Sequence, residues 1–436
     1  MLIDFTVRNF RSFEDEVLFS MNVENSRSRL RDNHHEIENG KYAVLKSAAI
    51  FGPNASGKSN LLKAIRTLSW MVCNSNDLQE GEAISPYEPF RLSEDTKYAP
   101  TEFEVEFVVP SGMRYRYELA FDKERITSET LFSFPGRQRA LIFERKEYDT
   151  WETIKFGGTY KGGSRRLSFF KNNCYLARAG NDAAAPESIR EIIHYFRSIN
   201  FIGAGTKLRI ANYFAQDGHL EAVGEIIRLA DTGVQKVTSE KRKNPEDIRL
   251  PDDMPEELKA AIIEENSKTY KFWLQAKSGE LVSFDERDMS DGTVKLFEIL
   301  PMLLNSLSNG APILFDELDG HLHTHLVALV LQLFHDPVVN KLGAQIIFTT
   351  HDTNIMKPSV LRRDQIWITH KKNGGTYLSS LDEYNKNVVR PDSPFEDFYL
   401  DGRLGALPSI PYSRVREALS RAVGNPGYFV GDDSIA

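Results

Sequence analysis

Two acids and three histidines stand close together in FDELDGHLHTHL, the segment from Phe315 to Leu326. The histidines occupy every second position, so on a strand all three imidazoles would lie on one face, as a zinc or copper site requires. On a helix the same spacing would scatter them around the axis. Alternatively, the acids Asp316 and Glu317 could hold a magnesium ion and polarise a water molecule. The surrounding motifs decide between a transition-metal site and this second kind of site.

A phosphate-binding loop is indicated by GPNASGKS, residues 52–59, which fits the pattern G-x-x-x-x-G-K-S. An apolar run precedes it and an amphipathic run follows, so we predict a strand, a loop and a helix. In such a loop, backbone N–H groups converge on phosphate oxygens, Lys58 neutralises the β- and γ-phosphates, and Ser59 reaches a magnesium ion. The residues expected to bind the nucleotide here are Asn54, Ala55, Ser56, Gly57, Lys58, Ser59 and Asn60.

The phosphate-binding loop gives the acidic pair a function. The run PILFDE is predicted to be a buried strand that ends at Asp316 and Glu317, which is typical of a Walker B segment. We expect Asp316 to hold magnesium together with Ser59, and Glu317 to act as the general base near the γ-phosphate. The next apolar strand, AQIIFTTH, ends at His351, and a histidine at that edge can hydrogen-bond the γ-phosphate. We therefore predict Glu317 and His351 as the catalytic residues.

A second anion site is suggested by DMSDGTVKLFEIL, where Ser290, Gly292 and Thr293 stand at the start of a predicted helix. A helix N-terminus that carries a hydroxyl and a glycine favours phosphate. The same residues also fit a plain helix cap, with Ser290 or Asp291 as the N-cap residue. Because one nucleotide-binding domain already has its phosphate loop, the second helix end suggests a contact with the nucleotide of a facing copy.

The predicted elements alternate between α and β, with an insertion in between. Alternating apolar and polar residues at 101–146 predict antiparallel strands, and the pattern at 187–276, including PEELKAAIIEE, is largely helical without sustained heptads. The α/β pattern returns after Ser290. The expected parts are an N-terminal ATPase lobe (1–100), an antiparallel β subdomain (101–180), a helical insertion (181–280), a C-terminal ATPase lobe (281–425) and a flexible tail (426–436).

Composition excludes some classes of protein. The 436 residues are 41% hydrophobic, and no apolar run approaches the roughly 20 residues that a membrane helix needs, so we expect a cytoplasmic protein. Two cysteines, Cys73 and Cys174, predict neither a disulfide framework nor a thiolate zinc site. The net charge of −8 argues against nonspecific coating of nucleic acid, although the basic runs at 161–171 and 241–243 leave a local contact open.

The order of these motifs resembles the ABC-type ATPases of the SMC, RecF and overcoming-lysogenization-defect branch, especially the stand-alone abortive-infection ATPases of bacterial antiphage systems. In that branch a turn like NFRSF, which contains Arg11, lies near the nucleotide. The segment MSDGT resembles the signature loop, DELDGHLH resembles the branch's Walker B segment, and FYLDGRLGALPSI resembles its closing motif. The resemblance places His321 and His323 in the loop after Walker B, which disfavours the transition-metal site.

The resemblance implies an ATPase that uses ATP and Mg2+ and dimerises head to tail or forms a larger oligomer. It further implies control of a separate effector protein, a nuclease, because about 85 residues after His351 leave no room for an appended nuclease domain. The alternative is an SMC- or RecF-like DNA-binding ATPase of genome maintenance, so nucleic acid stays open as a ligand. A transporter subunit is disfavoured by the RNFRSF start, and a GTPase by the lack of Asn-Lys-x-Asp. The Q-loop glutamine is unassigned among Gln79, Gln138 and Gln216.

Overall fold

The computed structural model describes residues 1–23, 29–37, 42–204, 218–241, 268–320, 322–385, 389–405 and 411–424. The strands are β1 Leu2–Arg8, β2 Val17–Ser20, β3 His34–Ile37, β4 Tyr42–Leu45, β5 Ser47–Phe51, β6 Thr101–Val108, β7 Arg114–Phe121, β8 Ile126–Phe134, β9 Ala140–Lys146, β10 Lys155–Phe156, β11 Asn200–Ile202, β12 Val234–Lys241, β13 Lys268–Gln275, β14 Leu281–Asp285, β15 Ile313–Phe315, β16 Ile346–Thr349, β17 Ile366–Lys372 and β18 Gly375–Ser380. The helices are α1 Lys58–Asn74, α2 Tyr175–Gly180, α3 Glu187–Ser198, α4 His219–Leu229, α5 Asp291–Asn309, α6 Thr324–His335, α7 Phe395–Leu400 and α8 Tyr412–Gly424.

A six-stranded sheet carries the predicted motifs, in the order β11-β15-β16-β5-β17-β18. Its first five strands are parallel to their neighbours, and β18 returns antiparallel to β17. Every residue of β5, β15 and β16 is buried, as expected for strands covered on both faces. Because parallel strands end at the same edge, the segments that follow β5, β15 and β16 meet there.

The predicted antiparallel region is confirmed as strands β6 to β9, but its sheet is larger than expected. The order is β10-β9-β8-β7-β6-β1-β2, so the N-terminal strand β1 pairs with β6. The pairing therefore crosses the expected boundary at residue 100. Alternation identifies a strand but not its partner, which is why the sequence did not reveal this connection.

The expected helical insertion at 181–280 is only partly helical. Helices α3 and α4 lie in it, but β12, β13 and β14 form a three-stranded antiparallel sheet that we had not predicted. The rings of Tyr270 and Phe272 in β13 pack against Phe297 of α5, at centroid distances of 5.0 and 5.2 Å. The alternation in KTYKFWLQ was the strand signal. The segment PEELKAAIIEE and the predicted tail at 426–436 lie outside the described residues.

Helix α1 connects the phosphate loop to the larger hydrophobic core. Its residues Leu61, Leu62, Ile65 and Leu68 are buried in a cluster with the apolar face of the antiparallel sheet. Each fully buried leucine contributes about 2 kcal/mol. The start of α1 is thereby anchored between the two sheets. Across the described ranges, none of the helices combines the length and apolar character needed to cross a membrane.

Candidate nucleotide-binding site

The loop between β5 and α1 has the backbone conformation of a phosphate cradle. Gly52, Ala55 and Gly57 have positive φ angles of 149°, 60° and 108°. Such turns direct successive backbone N–H groups into one concavity, where they bind anions. A Cβ atom at Gly52 would lie 2.2 Å from Thr369 Oγ1, and one at Gly57 would lie 2.2 Å from Thr376 Oγ1. Both glycines are therefore required by space as well as by φ.

Lys58 lies over this loop. Its Nζ donates hydrogen bonds to Gly52 O at 2.8 Å and Pro53 O at 3.2 Å. Burial lowers the pKa of Lys58, and the carboxylates of Glu317 and Asp316 oppose that shift. The ammonium is held at the mouth of the phosphate loop, so the residues present fit the triphosphate of a nucleotide.

Asp316 joins the phosphate loop to the adjacent strands. Its Oδ1 accepts hydrogen bonds from Ser59 Oγ at 2.8 Å and from Thr349 Oγ1 at 2.7 Å, and the residue is 5% exposed. The Thr349 hydroxyl also accepts the backbone N–H of Glu317 at 2.7 Å. A hydroxyl and a carboxylate in contact form the all-oxygen environment that magnesium prefers. The residues predicted to hold magnesium, Ser59 and Asp316, thus fit that ion.

Glu317 has an unusual backbone. Its φ of 59° lies in the left-handed region, and its side chain is exposed beside the buried Asp316. Gly320 N donates to Glu317 O at 2.9 Å, and Leu318 N donates to Thr349 O at 3.0 Å, so both sides of the turn are fixed. A non-glycine residue in this region costs about 1–2 kcal/mol. Such strain is found at functional sites, where it fixes the direction of a side chain.

His351 lies beside a third acid that the sequence analysis missed. Its backbone N–H donates to Asp319 Oδ2 at 3.0 Å. Burial, and then the charge of Lys58, lower the pKa of His351, while Asp319 and Glu317 oppose the shift. Thr349 and Asp319 could have been noticed in the sequence only because they adjoin His351 and the acidic pair.

Ser290, Gly292 and Thr293 form the start of α5. Ser290 is the N-cap residue, and its Oγ accepts the backbone N–H of Thr293 at 3.2 Å. Within the described part of the chain, no hydrogen bond of these three residues reaches the phosphate loop. The structure joins the other motifs by hydrogen bonds but shows none from these three residues to those motifs in the described ranges.

Arg11 is positioned by a neighbouring loop. Its φ is 51°, its backbone N–H donates to Glu88 O at 2.7 Å, and its Nε donates to Glu88 Oε2 at 2.5 Å. Together with Ser12 and Asn60 it lines a cavity of about 890 Å³ beside the phosphate loop. Arg11 thus lines the same cavity as Asn60 of α1, and its charge is already paired with Glu88.

The histidine and glutamine candidates have limited roles in the structure. His323 is the exposed N-cap residue of α6, and His321 lies outside the described residues. In the described ranges no group of three or more His, Cys, Asp and Glu could hold a metal ion. The side chain of Gln79 bonds within its own loop, Gln138 is exposed in the β8–β9 turn, and Gln216 is not among the described residues.

Solved structures with a similar arrangement include two SMC heads and RecF. The SMC head domain from Thermotoga maritima is 15% identical at a TM-score of 0.40, covering 87% of this chain and 98% of that chain. The SmcHead bound to the C-winged helix domain of ScpA is 15% identical at 0.43, with coverage of 89% and 99%. RecF-ATP of the RecFOR pathway is 12% identical at 0.35, with coverage of 87% and 99%. No curated protein matches the sequence.

The family model provides the identification. Residues 47–357 match the family described as "AAA domain, putative AbiEii toxin, Type IV TA system", which is more than two thirds of the chain. The match includes the phosphate loop and the acidic pair. With the parallel sheet and its antiparallel neighbour, it confirms the predicted α/β fold class. The chain belongs to this AAA-domain family, and it is an ATPase with a phosphate-binding loop.

Proposed function

We propose that this ATPase is the nucleotide-hydrolysing subunit of a bacterial antiphage defence complex of the abortive-infection type, and that it controls a separate effector protein, a nuclease. The defence assignment is supported by the words AbiEii and Type IV TA system in the family description. The observation that supports ATP hydrolysis by this subunit is the contact of Ser59 and Thr349 with Asp316, next to Glu317.

Each residue of the site has a defined part in this proposal. The loop from Asn54 to Asn60 binds the phosphates, and Lys58 neutralises their charge. Ser59 and Asp316 would hold Mg2+, which when bound neutralises charge on the β- and γ-phosphates. Glu317 takes the proton of the attacking water as general base. His351 donates a hydrogen bond toward the γ-phosphate, and its own backbone N–H is held by Asp319.

Self-association around ATP is the second part of the proposal. The start of α5, with Ser290 and Asp291 exposed, is a helix N-terminus that favours phosphate. In a head-to-tail dimer it would approach the nucleotide of the other copy. In the presence of ATP, the molar mass of Glu317→Gln measured by light scattering should then be twice the 49.6 kDa of the monomer. The double variant with Ser290→Arg is the control, and it should remain monomeric. A monomeric Glu317→Gln that binds ATP would refute the dimer.

The effector is tested by recovering what binds the ATP-loaded form. Tagged Glu317→Gln is expressed from its native genomic neighbourhood, and the co-purified proteins are identified by mass spectrometry. Lys58→Ala, which should not retain nucleotide, is the matched control. A stoichiometric nuclease recovered with Glu317→Gln and lost with Lys58→Ala supports the proposal. The proposal is contradicted if both variants are recovered without a partner and if cells that express the wild-type protein resist phage no better than cells that lack the protein.

A second candidate is a DNA-binding ATPase of genome maintenance, favoured by the cavity beside the phosphate loop. The basic residues that line it are Arg11, Arg91, Lys97, Lys123 and Lys371, against one acid, Glu88. Since the chain as a whole carries a net charge of −8, this concentration of cations is local, and it suits a phosphate backbone. DNA-stimulated hydrolysis that Lys123→Glu and Lys371→Glu abolish would favour this candidate. Hydrolysis that DNA does not change would exclude it.

A further inference from the structure

Two threonines of the hairpin formed by β17 and β18 contact the phosphate loop. Thr369 lies on β17 and Thr376 on β18, and they are 0% and 3% exposed. Both lie beyond residue 357, where the family match ends. We propose that this pair, the threonine brace, positions the phosphate loop for nucleotide binding. The inference rests on ATP being the ligand of that loop.

The contact of Thr369 follows from strand register. Strand β17 runs parallel to β5 with Ile368 opposite Phe51, so Thr369 lies beside Gly52 at the start of the loop. Its Oγ1 is 3.1 Å from Phe51 O and 2.6 Å from Ser56 Oγ. A carbonyl oxygen only accepts, so Thr369 donates its proton to Phe51 O and accepts from the Ser56 hydroxyl.

Thr376 holds the other end of the loop through a chain of hydrogen bonds. Its Oγ1 lies 2.8 Å from Ser56 O and 2.8 Å from Ser12 Oγ, and Asn60 Nδ2 donates to Ser12 Oγ at 2.7 Å. The amide at one end only donates and the carbonyl at the other only accepts. Asn60 Nδ2 is therefore the donor to Ser12 Oγ, and the Thr376 hydroxyl is the donor placed toward both Ser12 Oγ and Ser56 O.

The contact of Thr376 with Ser56 O has a direct consequence for phosphate binding. The carbonyl of Ser56 and the N–H of Gly57 belong to one planar trans peptide, so they point in opposite directions. Holding Ser56 O toward Thr376 directs the Gly57 N–H away from the hairpin. The carbonyl of Phe51 fixes the N–H of Gly52 in the same way. The brace thus sets the direction of the Gly57 N–H before a nucleotide arrives, whereas the N–H of Gly52 already has the Tyr399 hydroxyl as a partner.

A brace that preorganises ground-state binding has a kinetic signature. ATP and ADP share the β-phosphate that such a loop binds, so loss of the brace should lower the affinities for ATP and for ADP by the same factor. The catalytic step should change little, because Glu317 and Asp316 remain in place. A threonine that only fills space in the core would instead change stability and leave both affinities as they are.

The test compares Thr376→Val, which keeps the shape and removes the hydroxyl, with Thr376→Ser, which keeps the hydroxyl. Thr130→Val makes the same change at a buried position of β8, away from the loop. Dissociation constants for ATP and ADP are measured by titration of a fluorescent analogue, beside kcat, KM and the melting temperature without nucleotide. For Thr376→Val we expect both dissociation constants to rise about tenfold and kcat to change less than about twofold.

The rescue and control variants complete the test. Thr376→Ser and Thr130→Val should both bind within about twofold of the wild type. Unchanged affinity in a folded Thr376→Val, or a loss confined to kcat, would overturn the brace. If Thr376→Val does not fold, Thr369→Val removes the other hydroxyl of the brace, and an unchanged affinity in that folded variant has the same meaning. A wild type that does not bind ATP would instead refute the nucleotide site itself.

Discussion

The hydroxyl of Ser59 donates a hydrogen bond to Asp316 Oδ1 across 2.8 Å, although 257 residues separate the two in the sequence. This contact joins the start of α1 to the end of β15 at the edge where the parallel strands end. Thr349 completes it from β16. The hydroxyl and carboxylate are thus already adjacent in the arrangement that an all-oxygen magnesium site requires.

Asp316→Asn should abolish hydrolysis without unfolding the protein. The amide still accepts hydrogen bonds from Ser59 and Thr349 but lacks the charge that holds a magnesium ion. We expect kcat to fall about 100-fold or more at saturating ATP. Phosphate release over a series of Mg2+ concentrations is the measurement. Asp401→Asn, at a side chain that is 55% exposed, is the matched control. Wild-type turnover in Asp316→Asn would remove Asp316 from the site.

Thr349→Val should disturb both acids at once. It removes the donor to Asp316 Oδ1 and the acceptor of the Glu317 N–H, both in a buried position. An unpaired buried polar group costs about 1–3 kcal/mol, so unfolding in urea should occur at lower concentration. We also expect kcat to fall about tenfold, because Glu317 is no longer held. Thr349→Ser keeps both hydrogen bonds and should restore turnover; an equal loss in both variants would show that the hydroxyl does not account for the effect.

Glu317→Gly should make the protein more stable and inactive. Glycine adopts a φ near 59° without the strain that glutamate has there, which predicts a gain of about 1 kcal/mol in the free energy of unfolding. Loss of the general base should lower kcat about 100-fold or more. Glu317→Gln removes the same charge but keeps the strain. The difference between the two variants in urea unfolding therefore measures the contribution of backbone strain to the free energy of unfolding. A glycine variant no more stable than Glu317→Gln would show that the turn is unstrained.

The stability of the protein should decrease in acid because of His335. Burial, and then the charge of Lys46, lower its pKa from 6.5 to about 3, and its Nε2 lies 2.8 Å from Ser47 Oγ. Between these two values the unfolded chain binds a proton that the folded chain does not, so stability falls as the pH drops below 6.5. At pH 5 the loss from this residue amounts to about 2 kcal/mol.

Urea unfolding at pH 7.5 and pH 5 measures this effect. His335→Gln keeps a neutral hydrogen-bonding side chain, and it should lose less stability between the two pH values than the wild type. His194→Gln, at an exposed histidine of α3, is the control and should behave as the wild type does. The prediction is wrong if His335→Gln and the wild type lose the same free energy on acidification.

The sequence by itself determined the chemistry of the site. Each predicted motif, from the phosphate loop to the run that ends at Glu317, is contiguous, and its function follows from backbone conformation within a few residues. The same locality made the strands at 101–146 and helix α1 predictable. Period-2 alternation in KTYKFWLQ was equally local and was read wrongly as part of a helical stretch, which concealed the sheet of β12, β13 and β14.

Only the tertiary structure decided which residues support that chemistry. Thr369 and Thr376 lie in strands without a nearby motif, and Thr349 and Asp319 adjoin His351 and the acidic pair without any sequence sign of the atoms that they contact. They acquire their roles because strand register places a hydroxyl or carboxylate opposite one particular atom of another segment, as Ile368 opposite Phe51 places Thr369 beside Gly52. Register depends on the packing of the whole sheet, so the partner of each strand is fixed only when the chain has folded.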